Sequence, residues 1–230
     1  MGVKLNLGIL GAIDDAIIKR SSEEKHRDYL GASLLGEECP KKLWYTFHQP
    51  KPVRDAKLQR IFDRGHLMED YVAKLLRDAG CNLITADENG EQYGFVDREV
   101  AGHCDGVILS GLPESSAPHL WENKAVGDKS FNEFVKNGIE KTNYKYYVQV
   151  HIYMHKLKLK DCLFTVINCN TCEIYTERIK LNEEIATRYI ERGVEIARSK
   201  EPMGRAFPKK NFFKCKFCDY NEECWAGVDE

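Results

Sequence analysis

Apolar residues recur along this chain with two periods, one helical and one strand-like, and their alternation predicts the order of elements. Leu7, Leu10, Ile13, Ile17 and Ile18 are spaced for a helix over residues 6–20. Residues 30–47 read as two short helical pieces, the second opened by Pro40 at a position where proline is tolerated. The strongest helical pattern covers residues 54–79. There Leu58, Ile61, Phe62, Met68, Val72, Leu75 and Leu76 make one stripe, and Gly80 stands where a C-terminal cap belongs. Short β-like runs follow at 82–86, 99–103, 106–110 and 120–126, with a loop containing Pro and Ser at 111–118 between the last two. Helical spacing returns over 130–138 and 143–157. Two β-rich runs, 162–168 and 173–181, are joined by a polar turn and predict a hairpin. An amphipathic helix over 182–199 leads through Pro202 and Pro208 into a cysteine-rich end. The order predicts an α/β fold with a central mixed β-sheet flanked by helices.

With 230 residues the chain can bury a core of its own, as one large domain or one domain with an appendage. Apolar residues at 43% and charged residues at 30% exclude disorder, collagen-like repeats and coiled coil. No stretch reaches the roughly 18 apolar residues of a membrane helix. Residues 1–10 lack a convincing cleavage site, so a reducing cytoplasm is expected, with no membrane partner. Lys and Arg number 34 against 36 Asp and Glu, so any polyanion must be met by local basic patches rather than by net charge. Residues 136–160 offer one, with six lysines against Glu140 and with Tyr144, Tyr146, Tyr147 and Tyr153 among them. Lysines reach phosphates and aromatic rings stack on unpaired bases. A solvated helix face with core tyrosines would give the same pattern. A second basic stretch holds Arg205, Lys209, Lys210, Lys214 and Lys216.

Nine cysteines, an odd number, exclude a complete disulfide framework. Cys215, Cys218 and Cys224 form a C-x2-C-x5-C run, a spacing that turns thiolates onto one metal centre. Cys39, just before a predicted helix in E-C-P-K-K-L-W, is the best fourth ligand. Four thiolates suit either zinc or an iron-sulfur cluster, and one pair followed by a lone cysteine is less like a zinc ribbon. Cys81, Cys104, Cys162, Cys169 and Cys172 lie in or beside apolar runs and read as small buried hydrophobes.

Acidic residues make a second constellation. Glu122 and Lys124 stand two apart in the strand-like L-W-E-N-K-A-V and share a face, while Asp105 lies between two β-like runs. A simple buried Glu-Lys pair is the plainer reading of the first two. Glu69 borders the apolar stripe of the long helix, with Gly65 four residues earlier, where a missing side chain would let another backbone come close. Glu69, Asp105 and Glu122 could together bind one or two Mg²⁺ or Mn²⁺ ions through oxygen. Lys124 would then orient a water or neutralise charge on a phosphate.

These residues resemble the PD-(D/E)XK nuclease superfamily in its RecB-like branch. The match consists of R-G-x-x-x-E at Arg64 to Glu69, D-x(16)-E-N-K from Asp105 to Lys124, and Q-x-x-x-Y at Gln149 and Tyr153, one turn apart on a helix. With Cys39 upstream and Cys215, Cys218 and Cys224 downstream, the chain is similar to the subset carrying a [4Fe-4S] cluster, the Cas-four-type CRISPR-associated exonucleases, AddB-type nuclease domains and related phage exonucleases. That subset usually has histidine where Glu69 stands, as phage exonucleases of the lambda and YqaJ type do not. His66 and His103 lie nearby, off the motif position.

The resemblance implies a restriction-endonuclease-like core over 54–200, an N-terminal helical segment over 1–53 and a cluster-binding segment over 201–230, within one nuclease domain. It implies a metal-dependent exonuclease acting on linear DNA ends, single-stranded or duplex, in phage recombination, DNA processing or CRISPR adaptation. Its metal ligands would be Glu69, Asp105, Glu122 and the Asn123 carbonyl, with Lys124, Gln149 and Tyr153 completing the site and a 5′-phosphate as product. Two other readings compete: a non-catalytic DNA-binding module with a structural iron-sulfur or zinc site, and a zinc-stabilised protein with no nuclease role.

Overall fold

The computed structural model describes residues 7–23, 26–50, 55–113, 115 and 118–227. The predicted helix starts at Asn6 and Arg54, and part of the 111–118 loop, lie outside them. Helix α1 (Leu7–Ser22) is followed by a two-residue strand β1 (Leu30–Gly31), a 3₁₀ turn (Ala32–Leu34) and α2 (Pro40–His48). Pro40 opens α2 as expected, but residues 30–34 are strand and 3₁₀ turn, not a helix: Leu30, Ala32 and Leu35 bury their side chains under neighbouring elements, and tertiary packing sets the backbone of so short a piece. Helix α3 (Ala56–Asp78) begins behind Asp55, whose side chain accepts the Leu58 N–H. Strands β2 (Asn82–Ile84), β3 (Gly94–Asp97), β4 (Val100–His103), β5 (Gly106–Ser110) and β6 (His119–Val126) come next. Then follow α4 (Asp128–Thr142), α5 (Tyr144–Lys156), the predicted hairpin β7 (Asp161–Asn168) and β8 (Ile174–Lys180), α6 (Glu183–Arg198), and two short helices, α7 (Phe213–Lys216) and α8 (Asn221–Trp225).

The strands form two mixed sheets where one was expected. A five-stranded sheet runs β2-β5-β6-β7-β8, antiparallel throughout except for the parallel pair β6 and β7. A three-stranded sheet runs β1-β4-β3. The chain changes sheet at Cys104-Asp105, between two equally apolar strands, so hydrophobic patterning carries no mark of the switch. Strand β3 escaped the sequence reading because Gly94–Asp97 offers two apolar residues and one of them, Val96, is 83% exposed.

Strand β6 is buried on both faces, as expected of a strand paired in parallel with a crossover. Leu120 packs with Phe164, Phe134 and Met154 in the main core under α4, α5 and α6. Trp121 packs with Ile108, Ile167 and Val72 under α3. Burying each such side chain contributes about 1.5–3 kcal/mol. The α3 stripe does only half of its predicted work. Met68, Val72 and Leu76 reach the sheet, while Leu58, Ile61 and Phe62 are 39%, 46% and 43% exposed. That upper half lies beside α1, held by Arg20 to Asp63 at 2.5 Å and by Arg60 to Asp14. Gly65 admits no close backbone, and a Cβ there would meet nothing within 4 Å.

Candidate active site

The site occupies a fork between β5 and β6. Their pairing reaches Gly106 opposite Trp121 and stops there, so the β6 backbone beyond Trp121 is left without β5 on that side. Asp105, immediately before β5, fills the gap: its Oδ2 accepts the Asn123 N–H at 2.7 Å. The sheet change is thus what delivers an aspartate to a strand edge.

Glu122 and Lys124 project together from β6 toward α5. The Lys124 ammonium donates to Glu122 Oε1 at 2.6 Å, and Gln149 Nε2 donates to the same oxygen at 2.6 Å. Gln149 also meets the Tyr153 hydroxyl at 3.5 Å. Glu122 Oε2 and Gln149 Oε1 are buried with no hydrogen-bond partner. On the opposite face of β6, Trp121 Nε1 donates to Thr165 Oγ1 at 3.1 Å and Thr165 donates to Asn123 Oδ1 at 2.8 Å, a chain that fixes the strand beneath the carboxylates. Gly102 makes room for Tyr153, since a Cβ there would lie 2.8 Å from the tyrosine ring and 3.0 Å from its hydroxyl.

Electrostatics bind Glu69 to this group. Burial first, then the charges of Asp105 and Glu122, pushes the Glu69 carboxyl up to about 8. Burial and Asp105 likewise push Glu122 up to about 8, and burial raises Asp105 against the pull of Lys124. Burial opposes the Lys124 ammonium, but Glu122 and Asp105 outweigh it and hold its pKa above the ordinary lysine range. Three carboxyl groups sharing one lysine are short of positive charge, and any cation bound there must displace their protons.

Among the described residues no group of three or more His, Cys, Asp or Glu is gathered as a finished metal site. That holds for the cysteines as well as for the carboxylates, of which Glu122 Oε1 and Asp105 Oδ2 are turned to protein donors. The donor set still fits a hard divalent cation. It is all oxygen, and one buried oxygen, Glu122 Oε2, lacks the partner that burial ordinarily demands.

Cys39, Cys215, Cys218 and Cys224 all line one cleft of about 1020 Å³, and all are free thiols. Burial, then the proximity of Cys39 and Cys224, raises the Cys215 thiol; burial also raises Cys218, with Cys39 adding to it. Thiols that raise one another from the N-terminal and C-terminal segments fit a soft metal centre, whose positive charge would favour the thiolates. Cys81, Cys104 and Cys162 are buried as expected. Cys169 is half-buried and Cys172 is exposed, so the core reading fails for both: they lie in the β7–β8 turn, beyond the last buried strand residue.

The basic stretch of residues 136–160 does not make one surface. Lys156 is paired to Asp97 at 2.5 Å, Tyr153 is 3% exposed, and of the four tyrosines only Tyr144, at 37%, counts as exposed. Lys141, Tyr144 and Lys145 instead join the rim of the cysteine cleft with Arg188 and Arg192 from α6. Sequence reading missed those two arginines because α6 carries its cations among glutamates. It placed Tyr146 among the stacking aromatics and missed its contact with Lys124, whose ammonium lies 5.1 Å from the ring. Its place three residues before Gln149, on the same helical face, was the available signal. His66 and His103 are both exposed.

No family model matches the chain, and no curated protein matches it. Solved structures do match in fold. SSO0001 superposes with a TM-score of 0.57 at 14% identity, over 96% of this chain and 98% of that one. LHK-Exo in complex with dAMP gives 0.51 at 14% identity, over 79% and 89%; it is an alkaline exonuclease from Laribacter hongkongensis. A phage related exonuclease from Haemophilus somnus 129PT gives 0.51 at 15% identity, over 75% and 92%. The chain therefore shares its α/β fold with these three solved structures.

Proposed function

We propose that this chain is a metal-dependent deoxyribonuclease that hydrolyses phosphodiester bonds from DNA ends. The observation that carries the reading is Glu122: one oxygen held by Lys124 and Gln149, the other buried without a partner, with Asp105 in the adjacent fork. Glu69, Asp105, Glu122 and the Asn123 carbonyl would hold Mg²⁺ or Mn²⁺, which when bound supplies Lewis-acid stabilisation of charge on the phosphate. Gln149 and Lys124 fix the rotamer of Glu122, and Tyr153 fixes Gln149 in turn. Lys124 positions the attacking water and faces the charge that develops on the phosphate. The water oxygen bonds to phosphorus as the bridging P–O bond breaks, leaving a 5′-phosphate.

Substrate contact is supported by the cysteine cleft. Seven Lys and Arg line it against two Glu, and both glutamates are already paired, Glu37 with Lys42 at 3.0 Å and Glu38 with Lys214 at 2.6 Å. Phe213 and Phe217 are 60% and 83% exposed at its edge. Surplus cations beside exposed rings suit a polyanion with stacking bases. A [4Fe-4S] cluster on Cys39, Cys215, Cys218 and Cys224 would fasten the C-terminal segment there.

A timed digestion of 5′- and 3′-labelled linear DNA, with a circular control and Mg²⁺ or Mn²⁺, tests the reading. Linear DNA should shorten from its ends while the circle survives, and Lys124→Ala or Asp105→Ala should reduce the rate by about a hundredfold or more with DNA binding intact. Full activity in both variants sinks the assignment; binding without cleavage by the native protein identifies a non-catalytic DNA-binding module instead.

A further inference from the structure

The β7–β8 turn carries two thiols that the site does not use. It reads Cys169-Asn170-Thr171-Cys172, closed at its base by Asn168 N–H to Glu173 O at 2.9 Å and by Cys172 N–H to Asn168 O at 2.8 Å. Cys172 has φ of +62°, in the left-handed region where glycine or asparagine is the ordinary occupant of a hairpin turn. It is also exposed, so packing does not account for a cysteine there. Backbone strain accepted for an exposed reactive side chain points to the side chain's chemistry.

The turn brings its two ends together. Asn168 and Glu173, the residues that flank the cysteines, are bonded at 2.9 Å across strands whose ordinary spacing is about 5 Å, and a disulfide spans roughly 4.4–6.8 Å between Cα atoms. The turn is also tied to the strand that carries the site: Cys169 N–H donates to Val126 O at 2.8 Å, at the end of β6, and Asn170 Nδ2 donates to Asp128 Oδ2 at 2.7 Å, at the start of α4.

We infer that Cys169 and Cys172 are a reversible dithiol–disulfide pair, oxidised by a low-molecular-weight disulfide. The exposed Cys172 thiolate attacks the disulfide, forming a mixed disulfide and releasing one thiol. The half-buried Cys169 thiolate then attacks Cys172 Sγ and releases the second thiol. One disulfide is reduced to two thiols as two protein thiols become one bond. Under reducing conditions the pair stays open, and it reports a shift of the thiol pool toward oxidation.

The test is peptide mapping of the native protein after equilibration in glutathione buffers of rising oxidised fraction. Acid-quenched protein is alkylated and digested, which places Cys162, Cys169 and Cys172 in the single tryptic peptide of residues 161–178. The expected result is loss of alkylation at Cys169 and Cys172 together, by an internal bond, while buried Cys162 stays alkylated. In Cys169→Ser, Cys172 should instead keep a stable glutathione adduct. The inference is overturned if both cysteines stay alkylated at every ratio, or if each carries its own glutathione. It is equally overturned if the native protein holds a zinc ion that the Cys169→Ser/Cys172→Ser protein loses, since the pair is then a metal knuckle. None of these readouts depends on DNA cleavage.

Discussion

At Glu122 a carboxylate with 1% of its surface exposed meets two donors on one oxygen and none on the other. Its carboxyl, pushed up to about 8 by burial and Asp105, lies above its unfolded value, so the folded state holds a proton that the unfolded chain releases. The stability tied to that proton is complete below the unfolded pKa and is lost as pH rises through about 8. Glu122→Gln removes the penalty along with the proposed metal ligand. We expect cleavage to fall by about a hundredfold or more, while metal-free melting curves at pH 6 and pH 9 show the variant gaining on the native protein at the higher pH. A variant that melts lower at both would show Glu122 to be a structural ion-pair partner. His151 has the opposite sign. Its Nδ1 accepts the Asn182 N–H at 3.1 Å, its Nε2 is buried without a partner, and burial pulls it down to about 4. It folds neutral, so its contribution is present above the unfolded pKa and is lost as pH falls toward 4, amounting to about 3 kcal/mol when complete. Denaturant unfolding of His151→Gln between pH 7 and pH 4 should lose less stability than the native protein does.

Among the elements, α5 does the most to make the site. Asn143 caps its first turn, and Tyr146, Gln149 and Tyr153 share one face at helical spacing, one against Lys124, one against Glu122 and one behind the second. The spacing of Gln149 and Tyr153 was legible in the sequence. What holds the face in place was not: Gly102 on β4 clears the Tyr153 ring, and Gly36 lets the backbone of Lys145 approach to where a Cβ would be 2.6 Å from its Cα. Gly102→Ala should therefore push Tyr153 off Gln149, costing about 1–3 kcal/mol in chemical denaturation and lowering the cleavage rate although Gly102 touches no substrate. Helix α4 is shaped by a similar contact. Gly138, with φ of +72°, breaks it, and Glu177 on β8 accepts the Ile139 N–H that the break leaves open at 2.8 Å. The helix predicted over 130–138 ends at this glycine, but the chain resumes the helix because a strand across the fold supplies the missing acceptor.

On the scale of the whole molecule, the cysteine cleft joins segments that are about 180 residues apart in the chain. Among the described residues the C-terminal segment is attached by Tyr45 stacked on Tyr220 at 5.4 Å, by the Tyr45 hydroxyl donating to Glu223 O at 3.4 Å, by Lys214 to Glu38 and by Met203 packed on the main core. If the four cysteines hold a cluster, Cys39→Ser should abolish visible absorbance and open residues 201–214 to limited proteolysis while β6 and its neighbours stay protected. Unchanged proteolysis would show that the metal is not the fastening. The sequence by itself determined most of the helical and strand segments, the hairpin and the residue types of both constellations, because side-chain period and residue spacing are local properties of the chain. Tertiary structure alone decided that the strands divide into two sheets and that Asp105 falls in the fork this division opens. It also decided that the basic patch draws on α6 and that Cys172 is displayed rather than buried. Each of these depends on which surfaces distant segments cover, and no periodicity along one segment records what packs against it.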